Sequence, residues 1–293
     1  TWSLRTTCPM KRPSRRPWAL RSAVRQSSAS SSRLWTRPRE GGSFSGPQGP
    51  IRANRDKLKI VSMNVTGWGS GKGYVTQLKD ADVVLVQEVQ RDRAGCDEAV
   101  RALRKLGWVG LFSPSPIKKS GLHAGVGVLW KPYMDIWAEE DGAEEVIKGR
   151  VLCVYVRHQI LGVFLLYSVY LDPSEGGGIA VVNKDAMAAV LAPAASRRLP
   201  WVAMGDWNSN PEEIAEMQCA HDNMLRVSCP PGPTCHTASG DSMLDFAIFG
   251  GGLSFAFGPV LKEESVQPHT HDAVCVATLH RKEWPKVWVL DEP

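Results

Sequence analysis

The stretch Trp201-Val-Ala-Met-Gly-Asp-Trp-Asn208 combines an apolar run with polar residues at its carboxyl end. A short apolar run closed by Gly205 is typical of a strand in a sheet that is buried on both faces. Residues two apart on a strand point to the same side, so we expect Asp206 and Asn208 to face one ligand. The carboxylate suits a hard divalent cation, and the amide can donate to a phosphate oxygen. A strand end followed by an Asx turn is an equally simple interpretation of this stretch alone.

The composition is that of a globular protein with a sizeable core, because 43% of the 293 residues are hydrophobic and 22% are charged. The charge is distributed unevenly along the chain. Residues 1–57 contain thirteen Lys/Arg and two acidic residues, whereas acidic residues are in excess in the remainder. This division predicts a basic arm attached to a separately folded domain.

The predicted arm, residues 1–56, is rich in Arg, Ser and Pro and has no apolar periodicity. We expect it to be disordered, because it cannot bury enough apolar surface to offset its ordering entropy. It could be a phosphate-binding arm, a nuclear signal or an organelle transit peptide, or it could have no role. A nuclear or other intracellular location is therefore expected, with organelle targeting left open. The chain begins with Thr1, which is compatible with a fragment of a longer product.

The seven cysteines are odd in number and contain no C-x-x-C pair, which favours a reducing compartment. A disulfide between Cys229 and Cys235, which flank a Pro-rich loop, is a weaker alternative. No apolar run approaches the length of a membrane span, so no membrane association is expected.

Apolar patterning from residue 58 onward predicts one α+β domain over residues 57–282, followed by a tail at 283–293. Many strands with few intervening helices indicate layered sheets with helices outside. Strands are predicted at residues 58–65, 82–89, 108–112, 125–130, 134–138, 151–156, 161–171, 201–204, 244–249 and 274–279. Helices are predicted near residues 74–80, 97–106, 179–191 and 211–217.

Polar residues lie at the ends of four of these strands or just after them, at Asn64, Glu88, Asp206 and Asp245, and a His-rich segment precedes the last strand. Each has a simpler interpretation on its own, as a solvated turn, a capping group or a surface histidine. Their order along the chain is much more specific than any one of them.

That order resembles the exonuclease–endonuclease–phosphatase superfamily, which includes pancreatic-type DNases, abasic-site endonucleases and the endonucleases of LINE-type retrotransposons. The resemblance covers about residues 58–280 and implies a DNase-like four-layer α/β/β/α sandwich, with two packed mixed sheets flanked by helices. The matching segments are Met63-Asn64-Val65, Val86-Gln87-Glu88, Gly125-Val-Gly-Val-Leu129, Ser168-Val-Tyr-Leu-Asp-Pro173, Gly205-Asp-Trp-Asn208, Ser242-Met-Leu-Asp-Phe246 and, least well, His269-Thr270-His271.

The resemblance also implies a metal and substrate site. Glu88, with Asn64, would bind Mg²⁺, with Mn²⁺ as an alternative, and the cation would offset charge on a phosphodiester. Asn64 and Asn208 would hold phosphate oxygens, and Tyr170 would donate a hydrogen bond to the phosphate.

A second implied group performs acid–base chemistry. Asp206 would orient and deprotonate the attacking water. His271 would hydrogen-bond the scissile phosphate or act as the acid, and Asp245 would fix its tautomer and support its cationic form. Both His269 and His271 are candidates, and we choose His271 because it lies closer to the last core strand.

Two positions depart from the family pattern. Thr66 stands where abasic-site enzymes often have an acid, and Thr270 replaces the acid that precedes the histidine. Both changes remove anionic groups near the metal, and Asp272 could substitute only if its loop shifted. A catalytically impaired nucleic-acid-binding remnant is therefore an alternative to an enzyme.

Within the superfamily, the basic arm favours nucleic acid as the partner, and so does the compact domain, which has little room for the long insertions expected of inositol-phosphate or lipid enzymes. The short path from Gly205 to Asp245 resembles retroelement endonucleases most. The expected function is a metal-dependent DNA endonuclease of the retrotransposon type that nicks DNA by hydrolysis. An abasic-site or other repair nuclease, or another phosphoesterase of the superfamily, is the alternative. The sequence gives no sign of an obligate protein partner.

Overall fold

The computed structural model describes residues 57–118, 121–138, 144–173, 183–184, 186–188, 190, 199–218 and 225–279. The predicted arm at 1–56 and the predicted tail at 283–293 lie outside the described residues, as does most of the helix predicted at 179–191. The positions of that helix that are described are helical.

Seventeen strands, three helices and one 3-10 helix make up the described parts of the chain. The strands are β1 (Lys59–Asn64), β2 (Val83–Gln87), β3 (Val109–Ser113), β4 (Ile117–Lys118), β5 (Gly121–Leu122), β6 (Val126–Trp130), β7 (Asp135–Trp137), β8 (Glu144–Ile147), β9 (Val151–His158), β10 (Gly162–Tyr170), β11 (Trp201–Asp206), β12 (Arg226–Ser228), β13 (Cys235–Thr237), β14 (Gly240–Ser242), β15 (Asp245–Gly250), β16 (Leu261–Lys262) and β17 (Val274–Ala277). The helices are α1 (Trp68–Gln77), α2 (Arg93–Lys105) and α3 (Pro211–Gln218), and the 3-10 helix spans Leu253–Ala256.

The larger strands form two mixed sheets. The first sheet has six strands in the order β16-β17-β1-β2-β6-β3. The second has seven, in the order β12-β15-β11-β10-β9-β7, with β8 also paired to β9. Only β1–β2 and β10–β11 pair in parallel, and the other described pairs are antiparallel. Each sheet therefore contains one pair of strands whose carboxyl ends emerge side by side.

Three apolar clusters establish four layers. The central cluster joins the inner faces of the two sheets, through residues such as Ile60 and Leu85 on one side and Phe164 and Val202 on the other. A second cluster packs α1 and α2 against the outer face of the first sheet. The third packs described helical positions, including Met187, against the outer face of the second sheet. Both sheets are covered on both faces, which explains the nearly continuous apolar runs of β2 and β11. The predicted α/β/β/α sandwich is confirmed.

The sequence predicts that helix α1 begins near residue 74, but it begins at Trp68. Its first six residues contain three glycines, which lower helix propensity and hid the start of the helix. Packing outweighs this, because Trp68 is buried with its ring edge-on to Phe112, at 5.1 Å between ring centroids. Gly71 permits close approach to Val65, since a Cβ there would lie 3.0 Å from the Val65 side chain.

Helix α2 likewise begins earlier than predicted, at Arg93, because Asp92 caps it. The Asp92 side chain accepts a hydrogen bond from the Gly95 amide at 2.8 Å, which satisfies one of the free donors at the helix start. No helix in the described part of the chain is long and apolar enough to cross a membrane.

Candidate active site

Both parallel strand pairs end at the same edge of the sandwich. In the first sheet Asn64 is paired with Gln87, the residue before Glu88. In the second sheet Tyr170 is paired with Asp206. The register of β11 with β15 also places Asp245 directly opposite Asp206. The fold thus brings together polar residues that are far apart in the sequence.

The close approach of β10 and β11 depends on Gly205. A Cβ at this position would lie 1.8 Å from the Val169 carbonyl oxygen of the neighbouring strand. Any other residue would therefore displace the strand ends that carry Tyr170 and Asp206. The sequence predicts that this strand stops at Gly205, but β11 continues through Asp206.

A buried polar contact joins the two sheets just behind this edge. The Gln87 amide Nε2 donates to Ser168 Oγ in the second sheet at 3.1 Å and to Ser62 Oγ in its own sheet at 3.2 Å. Because Gln87 directly precedes Glu88, this contact fixes the position of Glu88 relative to the second sheet. Glu88 itself has a positive φ of 53°, which turns the chain sharply as β2 ends.

Asn64 connects the two carboxylates that face each other across the sheets. Its Nδ2 donates to Glu88 Oε1 at 3.0 Å and to Asp206 Oδ2 at 2.9 Å. The Tyr170 hydroxyl donates to the same Glu88 oxygen at 2.8 Å. Glu88 is half-buried and Asp206 is fully buried, so the group lies at the boundary between core and solvent.

His271 continues this network on its other side. Its Nδ1 lies 2.8 Å from Asp245 Oδ2, and its Nε2 lies 3.9 Å from Asp206 Oδ2. Asp245 is held in turn by Thr234, whose Oγ1 accepts the Asp245 backbone amide at 2.8 Å. His269, the alternative histidine, is exposed. The contact with Asp245 that the sequence predicted for His271 is present.

Burial and crowding determine the charge of these groups. Burial, together with the charge of Asp245, raises the pKa of Asp206 to about 7. Burial alone would lower the pKa of His271, but the hydrogen bond to Asp245 and the nearby carboxylates outweigh it and raise that pKa to about 9. Burial and the charge of Glu88 raise the pKa of the Tyr170 hydroxyl, which keeps it protonated as a donor. At neutral pH the site holds an imidazolium between two carboxyl groups.

The side-chain oxygens at this edge fit a divalent cation. The ligating atoms of Asp206, Asp245 and His271 lie within 4.8 Å of one another, and Asn64 connects Asp206 to Glu88. Burial and the charge of Asp245 disfavour the ionised form of Asp206 and so raise its pKa. A cation would stabilise that ionised form, and carboxylate oxygens are ligands that Mg²⁺ accepts.

Asn208 does not share a strand face with Asp206, and that prediction is wrong. The strand ends at Asp206, and Asn208 lies beyond it with a positive φ of 44°. Its amide Nδ2 donates to the Leu171 carbonyl oxygen at 2.8 Å, and its backbone amide donates to Asp206 Oδ1 at 3.0 Å. The Asx turn that these contacts show is formed by Asp206, whose Oδ1 accepts the amide two residues on, whereas the predicted turn began at Asn208 and ran to Pro211. The Asn208 side chain instead supports the residue after β10.

Thr270 stands where the family has an acid, and Asp272 does not take over the place of that acid. Its carboxylate lies 2.7 Å from Lys262 Nζ and 3.2 Å from His236 Nε2. Thr66, at the other departure from the family pattern, is exposed, and its backbone amide donates to Asn64 Oδ1 at 3.0 Å.

Sequence reasoning missed Cys235, which lies in the site. Its thiol is buried, with Sγ 3.6 Å from His271 Nε2, and the two residues form an isolated β-bridge. Cys229 and Cys235 are both free thiols, so the disulfide alternative is wrong. No local sequence pattern marks Cys235 as a site residue, because a β-bridge between two distant segments brings it to His271.

Arg150 was also missed. It is buried, forms an ion pair with Asp172, and its guanidinium lies 4.9 Å from the centre of the Tyr170 ring. It therefore packs over the face of the tyrosine ring. The glycine-rich segment that the sequence had singled out, at residues 125–129, forms β6 and supports β2 instead of contributing a side chain.

Comparison of the sequence with protein families matches residues 72–266 to the endonuclease/exonuclease/phosphatase family. A search of curated protein sequences found no significant match.

Solved structures with the same fold include several nucleases. The endonuclease domain of TRAS1, a telomere-specific non-LTR retrotransposon, has a TM-score of 0.56 at 12% identity, over 76% of this chain and 98% of that one. The 3'-5' exonuclease NExo from Neisseria meningitidis has a TM-score of 0.57 at 15% identity, over 75% and 98%. The AP endonuclease LMAP from Leishmania major has a TM-score of 0.58 at 12% identity, over 76% and 88%. At these identities the likeness establishes the fold.

Proposed function

The chain belongs to the endonuclease/exonuclease/phosphatase family, and from this we propose that it is a metal-dependent phosphodiesterase. Within that class the proposal is a DNA endonuclease of the retrotransposon type, which nicks DNA by hydrolysis. The family and the fold support a hydrolase.

One observation carries the proposal. A continuous set of contacts runs from Glu88 through Asn64 and Asp206 to His271 and Asp245, at the edge where the parallel strands of both sheets end. It combines carboxylates suited to a cation, a buried carboxyl with a pKa of about 7, and an imidazolium. These are the groups that hydrolysis of a phosphodiester requires.

Glu88 is the residue that would hold Mg²⁺ or Mn²⁺. Asn64, predicted as a second ligand, turns its Nδ2 toward Glu88 and Asp206 and its Oδ1 toward the Thr66 amide, so its proposed part is to orient the two carboxylates. Glu88 is half-buried, so the residue is partly accessible to solvent. The cation would supply charge stabilisation for the phosphoryl oxygens and for the leaving oxygen. Tyr170 and Asn64 both donate to Glu88 Oε1 and thereby orient the carboxylate.

Asp206 is proposed as the general base that deprotonates the attacking water. A base is most effective when its pKa lies near the working pH, and the pKa of Asp206 is about 7. Two donors, the Asn64 amide and the Asn208 backbone amide, hold its two oxygens. The carboxylate therefore has a fixed orientation before a substrate arrives.

His271 is proposed to stabilise charge on the scissile phosphate or to protonate the leaving oxygen. It remains protonated at neutral pH because Asp245 raises its pKa to about 9. Asp245 itself is anchored by Thr234 and does not need to move. The arrangement resembles other carboxylate–histidine pairs, in which the acid fixes the imidazole orientation.

Tyr170 and Asn208 are proposed to contact phosphate as well, but each has a competing partner. The Tyr170 hydroxyl would have to turn from Glu88 toward the substrate, and Asn208 has one Nδ2 hydrogen engaged by Leu171. Their larger effect is expected on the orientation of Glu88 and Asp206.

DNA is proposed as the substrate for two reasons. The segment that follows Glu88 carries exposed Arg91 and Arg93, which can contact phosphates near the site. Structures of the same fold include a retrotransposon endonuclease and a NExo variant determined with a product DNA hairpin. The basic residues 1–56 would add phosphate contacts, and a nuclear or other intracellular location is proposed with this function.

An abasic-site or other repair nuclease is the second candidate. The AP endonuclease LMAP shares the fold, although Thr66 stands where abasic-site enzymes often have an acid. A nucleic-acid-binding remnant without activity is the alternative of another class.

The test is nicking of supercoiled plasmid with Mg²⁺, with Mn²⁺ and with a chelator. Wild-type protein should nick only with a metal, and Glu88→Gln should lose this activity while keeping its melting temperature, because glutamine can still accept from Asn64 and Tyr170. Nicking of intact AT-rich DNA indicates the retrotransposon type, whereas cleavage confined to an abasic oligonucleotide indicates a repair nuclease. Binding of DNA without cleavage would indicate the remnant, and wild-type activity in Glu88→Gln would contradict the metal assignment.

A further inference from the structure

A cluster of charged side chains near the surface surrounds the segment that carries His271. The Asp272 carboxylate lies 2.7 Å from Lys262 Nζ on β16 and 3.2 Å from His236 Nε2 on β13. The other ring nitrogen of His236, Nδ1, lies 3.0 Å from Asp241 Oδ1 on β14. Because Asp272 directly follows His271 in the chain, its carboxylate connects the His271 segment to two elements at once.

From this arrangement we infer that Asp272 is a positioning residue, which holds His271 against Asp245 by anchoring its segment to His236 and Lys262. The inference rests on the proposed function, since it assigns Asp272 a part in the same reaction. Asp272 acts through the position of His271 and is not itself proposed to contact the substrate or the cation.

The two anchors of Asp272 belong to different sheets. Lys262 lies on β16, the edge strand of the first sheet, which pairs with β17. His236 lies on β13, which pairs with β14 in a separate two-stranded sheet. Main-chain hydrogen bonds join residues 270–273 to the β13–β14 hairpin and to the residue after β16. The Asp272 carboxylate therefore ties the hairpin to the first sheet across the segment that contains His271.

The start of the same hairpin holds both members of the His271–Asp245 pair. Thr234 Oγ1 accepts the Asp245 amide at 2.8 Å, and the Thr234 carbonyl oxygen accepts the Asp272 amide at 2.6 Å. Cys235 forms a β-bridge with His271. A shift of the hairpin relative to residues 270–273 would therefore change the geometry of the pair, in which Nδ1 and Oδ2 are 2.8 Å apart.

The contacts of His236 are those of a charged imidazole. Both of its ring nitrogens face carboxylate oxygens, which only accept hydrogen bonds, so only the imidazolium can donate to both. The hydrogen bonds to Asp241 and Asp272 raise the pKa of His236, which favours that form. His236 and Lys262 then place two positive charges on one oxygen of Asp272, Oδ2. Charge-assisted hydrogen bonds of this kind are roughly twice as strong as neutral ones.

The effect of Asp272 should appear in the site rather than in the melting temperature. Ion pairs at the surface contribute little to global stability, so their loss should leave the domain folded. A displacement of about 1 Å at a reacting group can nevertheless cost about 10²-fold in rate. A positioning role therefore predicts a loss of kcat without a matching loss of stability.

Asp272→Ala and Asp241→Ala are the matched pair of variants. Each removes one carboxylate that contacts His236, but the contact of Asp241 lies within the hairpin. In Mg²⁺-dependent plasmid nicking, Asp272→Ala should lose roughly 10- to 100-fold in kcat with little change in KM, whereas Asp241→Ala should match the wild type. Asp272→Glu should recover part of the loss. Lys262→Gln removes an anchor without altering residues 270–273 and should act in the same direction as Asp272→Ala.

The Nδ1 proton of His271 gives a second readout, which needs no DNA. A proton between an imidazolium and a carboxylate resonates far downfield of other side-chain protons, and its signal broadens when the contact opens to solvent. This signal, assigned by its loss in His271→Ala, should be present in the wild type and in Asp241→Ala. It should be broadened or lost in Asp272→Ala and in Lys262→Gln, and Asp272→Glu should restore it.

The two readouts separate this inference from the proposed function. Absence of the signal in the wild type would overturn the inference, because the pair that Asp272 is inferred to hold would not be formed. A wild-type signal or a wild-type kcat in folded Asp272→Ala and Lys262→Gln would overturn it as well, and so would an equal loss in Asp241→Ala. If the variants give the expected signals but the wild type nicks no plasmid, the proposed function is refuted and the positioning of His271 by Asp272 stands.

Discussion

At the scale of single residues, the two histidines of the Pro268-His-Thr-His segment have different environments. His271 is buried against Asp245, whereas His269 is exposed. His271→Ala should reduce the cleavage rate by about 10²–10⁴-fold, which is the usual contribution of one positioned acid–base group. His269→Ala is the matched control and should cost far less. The measurement is kcat/KM in a plasmid-nicking assay. Equal losses of kcat/KM in the two variants would argue against the assignment of His271.

The pH dependence of cleavage tests how Asp245 acts. The active form has ionised Asp206 and protonated His271, so the rate should rise as Asp206 loses its proton and fall as His271 loses its own. Asp245 raises the pKa of both groups. Asp245→Asn should therefore lower both pKa values and move both limbs of the profile to lower pH.

Asp135→Asn is the control for this experiment, because Asp135 is an exposed acid at the edge of the second sheet. Its pH profile should match that of the wild type. If Asp245→Asn cleaves more slowly but both limbs of its pH profile stay at the wild-type pH values, Asp245 does not set the pKa values of Asp206 and His271.

The sequence predicted the identity of the site residues better than their contacts. Glu88, Asp206 and Asp245 are recognisable because a carboxylate at the end of an apolar strand is costly unless it has a partner. The contacts of Asn208 could not be predicted, because the strand period does not apply beyond Asp206, where the backbone takes a positive φ. Cys235 gave no signal at all, because its place beside His271 depends on a bridge between distant segments.

At the scale of elements, the strands were predictable wherever both faces are buried. The burial of β2 and β11 is continuous, and such apolar runs stand out in the sequence. Short strands such as β12 and β13 were missed, since three residues carry no period. Helix α1 was placed too late because tertiary packing of Trp68 overrides the low helix propensity of its glycines.

Gly205 provides a test of the strand packing that positions Asp206. Gly205→Ala would place a Cβ 1.8 Å from the Val169 carbonyl oxygen, which is a severe steric clash. The free energy of unfolding should fall by about 1–3 kcal/mol or more, since overpacking requires backbone shifts. Cleavage should fall as well, because the shift moves the site.

Gly73→Ala is the matched control. Gly73 lies in the interior of α1, is exposed, and has no atom within 4 Å of an added Cβ. Its replacement should stabilise the protein by about 0.4–1 kcal/mol. Chemical denaturation of both variants measures the difference, and unchanged stability of Gly205→Ala would contradict the described strand packing.

At the scale of the whole molecule, the uneven charge separates residues 1–56 from the folded domain. Deletion of this segment should leave the melting temperature nearly unchanged, because a segment without an apolar pattern adds no core. DNA affinity should fall, and its dependence on salt should become less steep as phosphate contacts are lost. Identical salt slopes with and without the segment would refute the phosphate-binding arm.

The central claim is that the buried Asp206, held between Asn64 and His271, is the base of a metal-dependent phosphodiester hydrolysis. The most direct measurement is the rate of Mg²⁺-dependent plasmid nicking by Asp206→Asn compared with wild type, at equal folded concentration. Asparagine preserves the shape of the side chain but cannot accept the proton, so the rate should fall by about 10²–10⁴-fold. An Asp206→Asn variant that nicks plasmid as fast as the wild type would contradict the claim.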